Sequence, residues 1–468
     1  MKKWLLFWVF ICLFSFSWAK EAYNIKVKIN GFPSGSIKLA YYYGDKQYIK
    51  QEGITDDKGQ IVFKGDTALP TGVYIVFLEN ETYFEILVEE QFFSVEADYV
   101  ADKTLSVAKY TETLKAEKSP QNSRLFAYNL FIKQKREETE PLNKLKEIYL
   151  KDPAKKADAD DIDKKLVLID AEVETYQNKI IADFKGKMIS KLLLASRRPT
   201  IPETITDDNE RFYYYRARFW DDFDFNFPGL IYTPIYHQRI KEYMDNLTVS
   251  HYDSAFVSAD LIIQLGKNNR EFFKYNVTWF LNYYAASKTV CFDAVYVKLA
   301  KKYYETGLAD WVEAENKKKI IDNVNMLSPC LCGKKAADIK AKTETYATPS
   351  MYNVKAKYTV LLFWESDCGH CKREVKEMKN VYATYKDSGM MVYSVEVGLD
   401  KEKWQKYSAD EGITWINLHH SDISSDVRAD FDVRTTPVII VLNENKTILY
   451  KKIDVQNLEK ILKAKLTP

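Results

Sequence analysis

The chain has 468 residues, a formal net charge of +2 and an ordinary share of apolar residues. That length suggests about three domains, and so small a charge gives no reason to expect nucleic acid, DNA included, or any other polyanion as partner. The 33 tyrosines point to aromatic-rich packing faces more than to any single chemistry.

Lys2 and Lys3, the apolar stretch Trp4–Phe16 and the small residues of Ser17-Trp18-Ala19 read as a signal peptide over 1–19, cleaved after Ala19. An uncleaved anchor is the alternative, but the apolar run is short for a membrane span. Cys12 follows Ile11 rather than a small residue, which argues against lipoprotein processing. The expectation is a soluble protein exported to a periplasm or cell envelope. Loss of Cys12 leaves Cys291, Cys330, Cys332, Cys368 and Cys371, an odd set with at least one unpaired or intermolecular thiol. The exported location permits disulfides.

Residues 20–115 alternate apolar and polar side chains, as in Tyr23–Ile29, Ser36–Leu39, Gln60–Phe63 and Gly72–Phe77. Turn residues separate these runs at Gly31–Gly35, Asp56–Gly59 and Leu69–Gly72. The pattern predicts an all-β, sandwich-like domain with antiparallel pairing. It holds no catalytic constellation, so a docking or folding module is expected there.

Residues 116–329 read as an α-helical middle domain, with segments such as Leu142–Tyr149, Ile162–Phe184, Phe272–Ala285 and Phe292–Glu305. The charge run Lys155–Lys165 is a solvated face or loop. Phe212–Phe223 concentrates aromatics beside Arg216, Arg218, Asp221 and Asp222. An aromatic core helix with its charges in water competes there with a platform for a peptide or sugar, and no motif fixes a ligand.

Residues 330–468 open with a linker and entry hairpin over 330–350, beginning Cys330–Ile339, and continue as an α/β pattern. Tyr358–Trp364 is an unbroken apolar run, as in a strand buried on both faces. Val375, Met378, Tyr382 and Tyr385 recur at helical spacing over Cys371–Tyr385. A strand at Met391–Val397 and a helix at Lys401–Asp410 follow, then a short excursion through Trp415–Leu418 and Asp426–Phe431. A hairpin of Val438–Leu442 and Ile448–Ile453 and a helix at Val455–Leu466 complete a mixed sheet covered on both sides.

Cys368-Gly369-His370-Cys371 falls on the turn between the first strand and its helix, with Ser366 and Asp367 as candidate caps. Unpaired amides and the helix dipole favour an anion there, the Cys368 thiolate. Such sites lower a thiol pKa from about 8.5 to roughly 3.5–7.5, which makes Cys368 a nucleophile and a good leaving group. Cys371, about one turn further on, is the more buried resolving thiol.

These residues resemble a thioredoxin fold, and within it the TlpA-like thiol–disulfide oxidoreductases of bacterial envelopes. The likeness covers roughly 333–468. It rests on Gly333–Asp338 as entry motif, Phe363-Trp364 before Cys368 and Cys371, Glu374 three residues after the second cysteine, and Arg434-Thr435-Thr436-Pro437 before the apolar Val438–Val441. The pattern departs at Asp367, where the family usually has an uncharged residue. The resemblance implies Cys368 and Cys371 as the redox-active pair and a cis bond at Thr436-Pro437, with Trp364, Thr436 and Pro437 toward the substrate. It further implies exported cysteine-containing proteins as substrates and a membrane thiol reductase as electron donor, with no cofactor and no metal.

His370 resembles the residue between the cysteines of protein disulfide isomerase; stabilising the thiolate would raise the potential from about −270 toward about −180 mV. A surface histidine with little effect is the alternative. Glu374 could relay a proton to Cys371, or be an exposed charge paired with a cation. Cys330 and Cys332 could form a second relay, or one of them could pair with Cys291 as a structural clamp. A four-thiolate zinc site from both cysteine pairs fits the redox context less well. A peroxiredoxin would carry a threonine where Glu365 stands. His419-His420 reads as a loop pair. The competing functional reading is a binding or scaffold protein whose redox domain mainly recruits partners.

Overall fold

The computed structural model describes residues 21–342 and 350–466. The signal peptide read over 1–19 lies outside the described residues, as does part of the segment before Tyr358. The chain forms two compact units, Met1–Leu247 and Thr248–Pro468. The helical stretch expected over 116–329 falls on both sides of that division.

The first unit contains β1 (Tyr23–Asn30), β2 (Ser36–Tyr43), β3 (Lys46–Ile54), β4 (Gln60–Gly65), β5 (Gly72–Leu78), β6 (Tyr83–Val88), β7 (Phe92–Asp98) and β8 (Lys115–Glu117). They make two four-stranded sheets, ordered β4-β1-β7-β8 and β3-β2-β5-β6. Alternation decides what is buried: Ile25, Val27 and Ile29 of β1 are inside while Lys26 between them is exposed. The antiparallel expectation fails at one pairing, because β1 and β7 run parallel, with Ile25 opposite Phe93 and Val27 opposite Val95. A parallel pair needs a long connection, and here the intervening strands supply it. β5 is buried at nearly every position. Tyr232 packs so closely on its Gly72 that a Cβ there would lie 2.4 Å from the Tyr232 Cβ.

The helices of this unit are α1 (Ser106–Thr113), α2 (Pro120–Tyr149), α3 (Lys156–Asp183), α4 (Met188–Ser196), α5 (Asp208–Arg218) and α6 (Pro234–Asn246). Ser119 caps α2 by accepting from the Asn122 N–H, and the helix runs on through Pro141. Asn122 is fully buried and pairs with the β6 backbone: the Leu87 N–H donates to its Oδ1 at 2.7 Å, and its Nδ2 donates to the Leu87 carbonyl at 2.8 Å. The aromatic segment divides: no residue of α5 is buried and Tyr213 is exposed, so the expected core helix is not found, and only the stretch beyond it enters the core. Phe219, Trp220 and Phe223 are buried around the guanidinium of Arg239, whose Cζ lies 4.5, 5.2 and 5.9 Å from their rings. Arg239 also donates to the carbonyls of Ala195 and Arg197, both at 2.8 Å.

The second unit begins with α7 (Tyr252–Leu265), α8 (Arg270–Ala285), α9 (Asp293–Leu299) and α10 (Ala314–Leu327). It continues through β9 (Tyr358–Trp364), α11 (Gly369–Tyr385), β10 (Met390–Glu396), α12 (Lys401–Asp410), β11 (Ile416–His419), α13 (Val427–Asp430), β12 (Val438–Asn443), β13 (Ile448–Lys451) and α14 (Val455–Leu466). The sheet order is β11-β10-β9-β12-β13, with β9, β10 and β11 parallel and β12 antiparallel to both its neighbours. The expected excursion at Trp415–Leu418 is therefore the edge strand. Successive residues of the central β9 enter opposite cores: Leu361 and Phe363 one, Val360, Leu362 and Trp364 the other. That is why its sequence shows no alternation.

Candidate active site

β9 ends at Trp364, and the turn Glu365–Asp367 delivers Cys368 to the N-cap of α11. The cap is the cysteine itself, not Ser366 or Asp367: the Cys371 N–H donates to the Cys368 sulfur at 3.4 Å. Asp367 is exposed, 3.8 Å from Lys403, and Ser366 is buried and turned inward. Cys368 is half-buried and Cys371 is fully buried; both are thiols. Partial burial works against ionising Cys368. It is outweighed by the Cys371 thiol, the amides of Cys371 and His370, and Thr436, and the pKa falls below its ordinary value. Burial first, and the neighbouring Cys368 second, push the Cys371 thiol up to about 12.

Across from the pair, the Thr436-Pro437 bond is cis, and the Thr436 carbonyl lies 4.0 Å from the Cys368 sulfur. His370 is exposed on the first turn of α11. Trp364, expected toward the substrate, does not reach the surface: it is fully buried and packs on Tyr407 at 5.6 Å. Glu374 is not an exposed charge, and it has no ion pair among the described residues. It is half-buried and accepts from the Val455 N–H at 2.9 Å, where α14 begins, and burial raises its pKa.

Cys291 and Cys332 form a disulfide and Cys330 remains a buried thiol, so the four-thiolate zinc arrangement does not form. The pairing falls to Cys332, a choice that residue spacing alone leaves open.

Sequence reasoning missed Glu396. It ends β10 opposite Trp364 and is 1% exposed. Its Oε1 accepts from the Ser366 N–H at 2.9 Å and the Ser366 hydroxyl at 3.2 Å, and its Oε2 has no partner among the described residues. Burial pushes this carboxyl up to about 7, against the Ser366 bonds and with Glu365 and Asp367 adding to it. A Cβ on Gly398 would lie 2.6 Å from that Oε1, so the glycine keeps the space open. The available signal was an acid inside the largely apolar stretch Met390–Val397, which also holds the small polar Ser394.

Residues 332–451 match the AhpC/TSA family, and residues 169–329 match a domain of unknown function, DUF5106. No curated protein matches the sequence. Among solved structures, the chain is similar to a domain of a possible thiol-disulfide isomerase from Cytophaga hutchinsonii. Identity is 36%, over 29% of this chain and 92% of that one, with a TM-score of 0.27. It is also similar to a thioredoxin-like protein from Bacteroides caccae, at 19% identity over 57% of this chain and 98% of that one, TM-score 0.44. The thioredoxin domain of a thiol-disulfide oxidoreductase from Bacteroides vulgatus matches at 23% identity over 29% and 98%, TM-score 0.27. The C-terminal part of this multidomain chain belongs to the AhpC/TSA family and is a thioredoxin-like thiol–disulfide oxidoreductase domain.

Proposed function

We propose that the protein is a TlpA-like oxidoreductase of the periplasm or cell envelope that reduces or isomerises disulfides of exported proteins through Cys368 and Cys371. One observation carries this reading: the Cys368 sulfur caps a helix among backbone amides, with a buried thiol of much higher pKa beside it. The Cys368 thiolate attacks a substrate disulfide, one substrate sulfur leaves as thiolate, and a mixed disulfide forms. Cys371 then attacks the Cys368 sulfur, releases the second substrate thiol and closes the Cys368–Cys371 disulfide. The cis Pro437 leaves the backbone around Thr436 free to pair with an extended substrate segment. A membrane thiol reductase returns the pair to the dithiol.

The test is insulin reduction by dithiothreitol with wild type and Cys368→Ser. The wild type accelerates precipitation and the variant does not; equal rates would leave the domain a scaffold. Cys371→Ala, which strands the mixed disulfide, identifies the client by mass spectrometry.

A further inference from the structure

The Cys291–Cys332 disulfide has surroundings that a structural clamp does not need. Cys330, one residue before Leu331 and Cys332, is a thiol with no solvent exposure. The ammonium of Lys451 donates to its sulfur at 3.2 Å and pairs with Asp293 at 2.6 Å. Lys451 is itself only 2% exposed. A buried lysine beside a buried thiol carries a desolvation cost that an apolar cluster would avoid. Lys451 also ties Cys330 to the turn carrying Cys291, since Asp293 follows Cys291 by two residues. All three cysteines belong to one core, with Cys330 and Cys332 buried in it and Cys291 packed against it. Cys291 adopts φ +69°, a left-handed conformation uncommon for side-chain-bearing residues.

Cys291 lines a cavity of about 450 Å³ whose wall also carries Lys288, Asp293, Arg434, Lys451 and Lys452 among uncharged residues. Lys451 pairs with Asp293, and Arg434 and Lys452 both pair with the buried Asp432, so the four cations face two carboxylates and the wall keeps a positive balance. Residues two apart have Cα atoms at most roughly 7 Å apart, and disulfides span about 4.4–6.8 Å, so Cys330 and Cys332 can be joined.

We propose that Cys291, Cys330 and Cys332 form a second thiol–disulfide exchange site, which presents Cys291 to small carboxylate-bearing thiols and disulfides entering the cavity. Cys330 loses its proton and its sulfur attacks that of Cys332. The Cys291–Cys332 bond breaks, the Cys330–Cys332 bond forms, and Cys291 leaves as thiolate while the Cys330 proton passes to solvent. This step gains and loses no electrons. The Cys291 thiolate then attacks a small disulfide, forming a mixed disulfide with one half and releasing the other as thiolate. Burial holds Cys330 mainly protonated and Lys451 opposes that, with Asp432 and Asp293 acting in the same direction as burial. The site is independent of Cys368 and Cys371.

The experiment uses the full chain with Cys12→Ser, Cys368→Ser and Cys371→Ser, so that only these three cysteines report. The folded protein is incubated without reductant at pH 8 with iodoacetamide or iodoacetate, then digested unreduced and mapped by mass spectrometry. The expected result is label on Cys291 together with a Cys330–Cys332 linkage. Adding Cys330→Ala, or Cys330→Ser should alanine fail to fold, abolishes the label at Cys291 and leaves Cys291–Cys332 intact. The iodoacetate-to-iodoacetamide rate ratio at Cys291 exceeds that of free glutathione by about fivefold and falls in Lys288→Glu. Label confined to Cys330, or a Cys291–Cys332 bond that persists with no label at Cys291, overturns the proposal. A rate ratio equal to that of glutathione overturns the anionic preference.

Discussion

Replacing Glu396 by glutamine should reverse the order of stability between acid and alkaline conditions. The carboxyl ionises near 7 in the folded protein against an ordinary value of 4.5. Between those values the folded state binds more protons than the unfolded state, so stability falls as pH rises through that window. A difference of about 2.5 units corresponds to about 3 kcal/mol, fully felt above pH ~7. Glutamine keeps an acceptor for both Ser366 bonds and cannot ionise, but its amide places a donor where Oε2 has no partner among the described residues. That mismatch costs roughly 1–2 kcal/mol at every pH. The wild type should therefore be the more stable by roughly 0–1 kcal/mol at pH 5, where its carboxyl has already entered that window, and the variant by about 1–2 kcal/mol at pH 8. Two compact units make a single global unfolding energy ill-defined, so the probe must be local. Pulse alkylation of fully buried Cys371 along a urea series reports opening of the second unit alone. Curves for wild type and variant that stay parallel from pH 5 to pH 8 would refute the reasoning.

In the folded protein at pH 8, iodoacetamide should label Cys368 and leave Cys371 unmodified; mass mapping of the reduced enzyme shows it, and the Cys368 rate inflects below the ordinary thiol value. His370→Pro should shift the Cys368–Cys371 potential downward by tens of millivolts, from a wild-type value between about −270 and −180 mV, as read in a glutathione redox series. Asn122→Ala strands the buried Leu87 amide and carbonyl and should destabilise the first unit by about 1–3 kcal/mol, measured by pulse proteolysis across urea.

Local chemistry was the most legible part of the sequence. The apolar run Tyr358–Trp364, the two cysteines beyond it and the helical spacing of Val375, Met378 and Tyr382 each follow from residues within one turn or strand of each other. So does the Thr436-Pro437 corner. What escaped depends on partners far along the chain. Nothing near Ile25 indicates that it will lie opposite Phe93 on a parallel neighbour. Nothing near Lys451 indicates Asp293 or Cys330, and nothing near Glu396 indicates that it will bond to Ser366. Trp364 misled because its neighbour in sequence is the reactive turn, whereas β9 is buried on both faces and its ring enters one of the two cores.

The Glu374–Val455 bond joins the helix carrying the reactive sulfurs to a segment 81 positions away. Leu458 and Leu462 of α14 share an apolar core with Cys371, Val375 and Met378. Anything that lifts α14, whether a fused tag, a proteolytic cut or a crosslink, would loosen the floor on which both thiols rest. Reactivity at position 368 could then drift in a preparation whose Cys-Gly-His-Cys stretch is chemically intact, and the state of α14 is the first thing to inspect when batches disagree.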